Sequence, residues 1–174
     1  MSADHNLLKI PSQVQIQASG NVVCEATEFL GGGGQGEVYR AKLGGNDYAL
    51  KWYYPQAATD RQLKSLEELI KKGPPNERFL WPIALAKKDN IPGYGYIMGI
   101  REPAFKSLFY LMGPSEKPSF KILATAGFHL ADSFLALHSM GLCYCDISFG
   151  NVFFNPDSGD ILICDNDNVG INGK

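Results

Sequence analysis

Short strand-like apolar segments separated by turn residues fill most of the first hundred positions, broken by one stretch of helical spacing, and a longer stretch after residue 118 repeats every three or four. A period of two predicts strands with one covered face, and the longer period predicts a helix. Weak alternation over residues 14–18 reads as an edge strand. Residues 22–30 read as a strand that runs into a glycine-rich turn, with 37–43 as its return strand. Gly44-Gly45-Asn46-Asp47 is a tight turn into a third strand over 48–54, which Pro55 ends. Leu63, Leu66, Leu69 and Ile70 share one helical face behind a Thr59-Asp60 cap, and Gly73-Pro74-Pro75 stops that helix. Strands over 80–87 and 94–100 complete a five-stranded antiparallel sheet with one inserted helix.

The pattern changes after residue 100. Residues 105–112 read as a short helix, 113–118 as a loop, and 119–140 as a long helix with Ile122, Ala126, Leu130, Phe134 and Leu137 on one side. Gly141 ends it, and short strands over 152–154 and 161–163 flank the turn Asn155-Pro156-Asp157-Ser158-Gly159. The composition places a lobe boundary between Gly99 and Pro103, so residues 1–99 and 100–174 form separate parts of an α+β chain. No internal repeat or low-complexity tract interrupts either part.

Composition narrows the function classes. With 45% hydrophobic and 20% charged residues, the 174-residue chain has material for a real core. A formal net charge of −2 supplies no basic field for nucleic acid or an anionic membrane. No apolar run approaches the roughly 18 residues of a membrane span, so no membrane partner is expected. The polar start Met1-Ser2-Ala3-Asp4-His5-Asn6 lacks a signal-peptide core, which makes a cytoplasmic location the expectation. Cys24, Cys143, Cys145 and Cys164 form no C-x-x-C pair and are expected as reduced, buried structural thiols rather than zinc ligands.

The chemistry concentrates in two places. Gly31-Gly32-Gly33-Gly34-Gln35-Gly36 lies between strands, and Lys51 follows fifteen residues after Gly36. Glycines allow backbone N–H groups to lie over a polyphosphate, and a lysine in the next strand can reach phosphate oxygens. Further on, Asp146 and Asn151 share a short loop, and Asp165 follows a strand. A carboxylate can orient an acceptor hydroxyl, while an amide oxygen and a second carboxylate are hard ligands suited to Mg²⁺.

These motifs, in this order, resemble the protein-kinase family. The glycine-rich loop G-x-G-x-x-G-x-V is matched by Gly31, Gly33, Gly36 and Val38, and V-A-I-K by Tyr48-Ala49-Leu50-Lys51. The catalytic loop H-R-D-x-x-x-x-N is matched by Tyr144-Cys145-Asp146-Ile147-Ser148-Phe149-Gly150-Asn151, and D-F-G by Asp165-Asn166-Asp167. The resemblance implies a protein-kinase-like fold with a five-stranded antiparallel first lobe, one inserted helix and a partial, mainly helical second lobe. It implies ATP and Mg²⁺ as cofactors, with Gly31, Gly33, Gly34 and Gly36 over the phosphates. Lys51 would pair the α- and β-phosphates and be held by a glutamate of the inserted helix. Of Glu67 and Glu68, Glu67 borders the apolar stripe and is the expected partner. Val38 and Ala49 would roof the adenine, Phe153 would form its floor, Met98 would be the gatekeeper, and Gly99 and Arg101 would offer backbone hydrogen bonds. Asp146 would be the catalytic base, with Asn151, Asp165 and Asp167 as metal ligands.

The departures carry implications too. Tyr144-Cys145 stands for His-Arg, which removes the arginine that usually receives an activation-loop phosphate. Ser148 stands for the lysine that steadies the γ-phosphate, Asn166 for an apolar residue, and Asp167 for glycine. No segment like A-P-E follows, so a shortened protein or a fragment is expected, with exposed apolar surface on the long helix that favours self-association. The resemblance points to a divergent, bacterial-type branch phosphorylating serine or threonine of a protein substrate. Its rivals are a small-molecule kinase of the aminoglycoside-phosphotransferase kind and a nucleotide-binding pseudokinase that signals through partners.

Overall fold

The computed structural model describes residues 7–18, 20–114 and 117–171. The polar start over residues 1–6 and part of the loop expected over 113–118 lie outside them. The chain divides into two compact units: the first runs to Gly73 and resumes over Pro82–Ile100, and the second takes Pro74–Trp81 and everything from Arg101.

In the first unit, strands β1 (Ser12–Ala18), β2 (Gly20–Gly32), β3 (Gly36–Leu43), β4 (Asn46–Tyr53), β5 (Pro82–Lys87) and β6 (Gly95–Gly99) close into a barrel of order β1-β2-β3-β4-β6-β5. This corrects the expected five-stranded open sheet. β1 is no edge strand: one side pairs with β2, and the other with β5 through Gln15↔Lys87, Ile16↔Ala86 and Gln17↔Leu85. Its alternation is strict in outcome, with Val14 and Ile16 buried and Gln13, Gln15 and Gln17 exposed. Closure removes the exposed edges that an open sheet would leave.

The barrel interior is filled by Leu8, Val14, Ile16, Cys24, Ala26, Tyr39, Ala41, Leu50, Trp52 and Ile97. Glu37 is wholly buried among them. Its Oε2 accepts from the Leu7 N–H at 2.8 Å and from the Tyr39 hydroxyl, and the Leu8 N–H donates to Tyr39 at 3.1 Å. Burial pushes the Cys24 thiol up to about 11, so this cysteine stays protonated and acts as a small apolar side chain.

Two glycine positions are dictated by geometry. Gly44 and Gly45 turn β3 into β4 with φ of 57° and 85°, the left-handed pair of a two-residue hairpin. Gly36 faces the opposing strand so closely that a Cβ there would lie 2.2 Å from the Trp52 carbonyl oxygen. Gly36→Ala is therefore expected to cost about 1–3 kcal/mol, measured by chemical denaturation. Gly33→Ala and Gly34→Ala point into open space and should leave the midpoint nearly unchanged.

Helix α1 (Asp60–Lys72) covers the outer face of the barrel. Thr59 caps it by accepting from the Gln62 N–H at 3.2 Å, and Gly73 closes it. Leu66 packs with Ala49, Tyr53, Leu85, Tyr94, Tyr96 and Met98, and Leu63 and Ile70 lie against that cluster. Successive side chains of β4 thus divide: Leu50 and Trp52 enter the barrel, while Ala49 and Tyr53 face α1.

The second unit is built around helix α2 (Phe120–Ser139), capped by Ser119 through the Ile122 N–H at 3.3 Å. The short helix expected over 105–112 is instead strand β7 (Lys106–Ser107) followed by a 3-10 turn over Leu108–Met112. β7, β9 (Val152–Phe154) and β10 (Ile161–Ile163) form one antiparallel sheet, and β8 (Leu142–Tyr144) pairs with β11 (Val169–Ile171). Leu80, expected to begin a strand of the first lobe, packs here: its N–H donates to the Ile163 carbonyl at 2.9 Å. Cys143 and Cys145 are exposed and Cys164 is partly so, contrary to the buried setting expected of all four cysteines; Leu142 and Tyr144 take the inward positions of the short β8, which turns Cys143 outward.

α2 also corrects an expectation. Its twenty residues include a window of mean hydropathy 1.3, so by length and composition alone it could cross a membrane. Its His and Asp residues interrupt the apolar run without lowering the average enough. Leu137 is fully buried, whereas Phe120, Phe128 and Leu135 are exposed.

Candidate functional site

The first unit carries the glycine loop and the lysine. β2 extends through Gly31 and Gly32 with two register shifts, and β3 begins at Gly36. The Gly33 N–H donates to the Gly36 carbonyl at 2.9 Å, closing the loop, while Gly33 and Gly34 are exposed with nothing packed over them. Lys51 is 4% exposed and lies on the α1 side of β4, between Ala49 and Tyr53. Its Nζ donates to Gln35 Oε1 at 3.4 Å and stands 5.5 Å from the centre of the Tyr53 ring, in cation–π range. Val38, Ala49 and Met98 share one apolar cluster, and Gly99 pairs with Tyr48 at the end of β6. Glu67 and Glu68 are both exposed on α1.

The second unit carries the carboxylates. Asn151 Nδ2 donates to the Asp146 carbonyl at 2.9 Å and to Asp146 Oδ2 at 3.0 Å, so the loop between them is closed by side chain as well as backbone. The Cys164 N–H donates to the Asn151 carbonyl at 2.8 Å, tying that loop to the residue before Asp165. The Tyr144 hydroxyl donates to the Cys164 carbonyl at 2.5 Å. Burial, then the charges of Asp165, Cys164 and Asp146, push the Tyr144 phenol well up, so it stays a donor. Burial likewise pushes the Cys164 thiol up to about 12, against the lowering effect of Arg101.

Asp165 itself is left-handed, with φ 54° and ψ 43°. That conformation is tolerated best by Gly, Asn and Asp. Asn166 is wholly buried, and its Nδ2 donates to the carbonyls of Leu80 at 2.9 Å and Ile163 at 2.8 Å. The amide thus fills, with hydrogen bonds, the position where the resemblance leads one to expect an apolar side chain. Asp167 is 1% exposed, while Asp165 is partly exposed. Phe153 is partly exposed, with the Arg101 guanidinium 4.5 Å from its ring centre.

Among the described residues, no three His, Cys, Asp or Glu side chains group as a ligand cluster. The oxygen donors of this loop are the Asn151 amide and the carboxylates of Asp146 and Asp165. So sparse an oxygen set suits Mg²⁺, which keeps several waters and shares substrate phosphate, and does not suit zinc. The second unit therefore brings Asp146, Asn151 and Asp165 to one connected piece of chain. Tyr144, noted from sequence only as a replaced histidine, is the residue that connects it. Its aromatic ring one strand residue from Cys145-Asp146 was the available signal. Tyr144→Phe is expected to cost about 1–3 kcal/mol, because it leaves the Cys164 carbonyl without its partner. An unchanged urea midpoint would remove Tyr144 from this role.

No protein-family model matches the chain, and no curated protein matches it in sequence. Solved structures do resemble it. The ROP18 kinase domain in complex with AMP-PNP and sucrose superposes with a TM-score of 0.69 at 16% identity, over 94% of this chain and 57% of that one. The BubR1 kinase domain superposes with a TM-score of 0.63 at 17% identity, over 93% of this chain and 52% of that one. The fold is therefore protein-kinase-like, and the chain spans just over half the length of these two domains.

Proposed function

We propose that the chain carries the nucleotide-handling part of a kinase-like phosphotransferase, using ATP and Mg²⁺ to phosphorylate serine or threonine hydroxyls of a protein. The observation that carries this reading is the closed set Asp146–Asn151–Tyr144–Cys164 leading into a left-handed Asp165. Such a set fixes the Asp146 carboxylate against the Asn151 amide and leads the chain directly to a second carboxylate, groups that phosphoryl transfer needs and a simple loop cap does not.

Asp146 is exposed, free to face an acceptor hydroxyl, and the Asn151 amide holds its Oδ2 in place. The acceptor oxygen attacks the γ-phosphorus in line, its proton passes to Asp146, and ADP leaves. Asn151 and Asp165 would hold Mg²⁺, with Asp167 as the adjoining acid. The ion neutralises phosphate charge when bound. Gly31, Gly33, Gly34 and Gly36 offer backbone N–H groups to the phosphates, and Lys51 adds its charge. Val38, Ala49, Met98, Gly99, Arg101 and Phe153 keep the adenine roles that the resemblance implies. A cytoplasmic location goes with these substrates. Self-association through the exposed Phe120, Phe128 and Leu135 of α2 belongs to the same reading; sedimentation that returns only monomer would remove it.

The direct test is thermal unfolding with ATP, with and without Mg²⁺, followed by transfer assays on peptides and on aminoglycosides. Ligand at about a hundred times its Kd adds about 2.7 kcal/mol of stability, so a clear upward shift with Mg-ATP is expected. No shift at millimolar Mg-ATP overturns the proposal. Turnover on aminoglycosides alone would move the acceptor class to small molecules.

A further inference from the structure

The resemblance assigns the partner of Lys51 to a glutamate of α1, yet the polar side chain that α1 turns toward β4 is Gln62. Gln62 lies one turn ahead of the buried Leu66 and is itself half-buried, whereas Glu67 is exposed. Its Nε2 donates to the Tyr53 hydroxyl at 3.3 Å, and the Tyr53 ring stands 5.5 Å from Lys51 Nζ.

Both intermediaries are held firmly. Gln62 sits in the capped first turn, with its own N–H on Thr59 Oγ1. Tyr53 is fully buried, edge-on to Tyr94 at 5.2 Å and tilted against Tyr96 at 6.0 Å. The Tyr94 hydroxyl in turn donates to the Thr59 carbonyl at 3.0 Å, which ties the start of α1 to the same aromatic cluster. A displacement of the first turn of α1 therefore reaches Lys51 through one ring.

We propose that Gln62 and Tyr53 are positioning residues for Lys51: the first turn of α1 sets the lysine through a tyrosine ring. This deepens the phosphotransferase reading and rests on it for its functional consequence. Neither residue touches the nucleotide in this scheme; both fix where the ammonium stands.

The test uses the full chain and two readouts. The first is the ¹³Cε–¹Hε resonance of Lys51, assigned by its loss in Lys51→Met and observed without nucleotide. Gln62→Leu and Tyr53→Phe should shift it, and Glu68→Gln should not. The second is the affinity for Mg-AMP-PNP. Gln62→Leu should weaken it by about three- to ten-fold, the worth of one hydrogen bond, while Gln62→Glu, whose carboxylate replaces the amide donor with an acceptor for the tyrosine O–H, should restore it. A merely structural role would lower the melting temperature without moving the lysine signal or responding to Gln62→Glu. The proposal is overturned if both variants leave the resonance in place, or if Glu67→Gln alone moves it. Absence of nucleotide binding in the unaltered chain would end the phosphotransferase reading, and the lysine resonance would still decide this one.

Discussion

Asp165→Asn is expected to bind ATP equally well with and without Mg²⁺, and to lose transfer activity by about 10²–10³-fold, the range seen when one fixed charge-stabilising group is removed. The substitution isolates charge from shape. Asparagine accepts the left-handed backbone of φ 54° and ψ 43° that position 165 requires, so the turn into Asn166 and Asp167 should persist. What disappears is the negative charge. Tyr144 provides an independent check, because Asp165 is the largest charge acting to raise its phenol. Removing that charge should lower the Tyr144 pKa, read by ultraviolet titration. A variant whose nucleotide affinity still rises with Mg²⁺ would exclude Asp165 as a ligand.

The largest effect on stability is expected at Trp52. Its indole is wholly buried inside the barrel, among Tyr39, Leu50 and Ile97. Trp52→Ala should cost about 3–5 kcal/mol, a large share of the roughly 5–15 kcal/mol that holds a domain folded. A melt followed by circular dichroism should show part of the chain unfolded at room temperature. Trp52→Phe should cost much less than its lost volume suggests. Among the described residues, Nε1 of Trp52 has no hydrogen-bond partner, and replacing it removes a buried donor that was already unsatisfied. A Trp52→Phe loss in full proportion to the volume removed would mean that volume alone decides at this position.

Legibility in the sequence followed the range of the interaction. The barrel strands, the Thr59-capped helix and the Gly44-Gly45 hairpin were readable because each is specified by residues within a few positions of one another, whereas the short strands β7, β8 and β11 carry too few residues for a period to show. The order of the glycine loop, Lys51, Asp146, Asn151 and Asp165 was readable because motif spacing is itself a sequence property. The site is another matter. Glu67 could be favoured over Glu68 from the helical wheel, but Gln62 came into view only when Tyr53, nine residues away, was seen to take its hydrogen bond. The role of Tyr144 needed Cys164, twenty residues away, as its acceptor.

Periodicity and turn chemistry along the chain determined the barrel strands, both long helices and which residues could carry phosphate chemistry, since those depend on local sterics and side-chain type. Tertiary structure alone decided that β1 closes a barrel, that Leu80 belongs with the second unit, that Asn166 is buried against two carbonyls and that α2 leaves Phe120, Leu123, Phe128 and Leu135 exposed. Each of these depends on which groups from distant parts of the chain supply the missing hydrogen bond or covering surface, and no short stretch of sequence contains that partner.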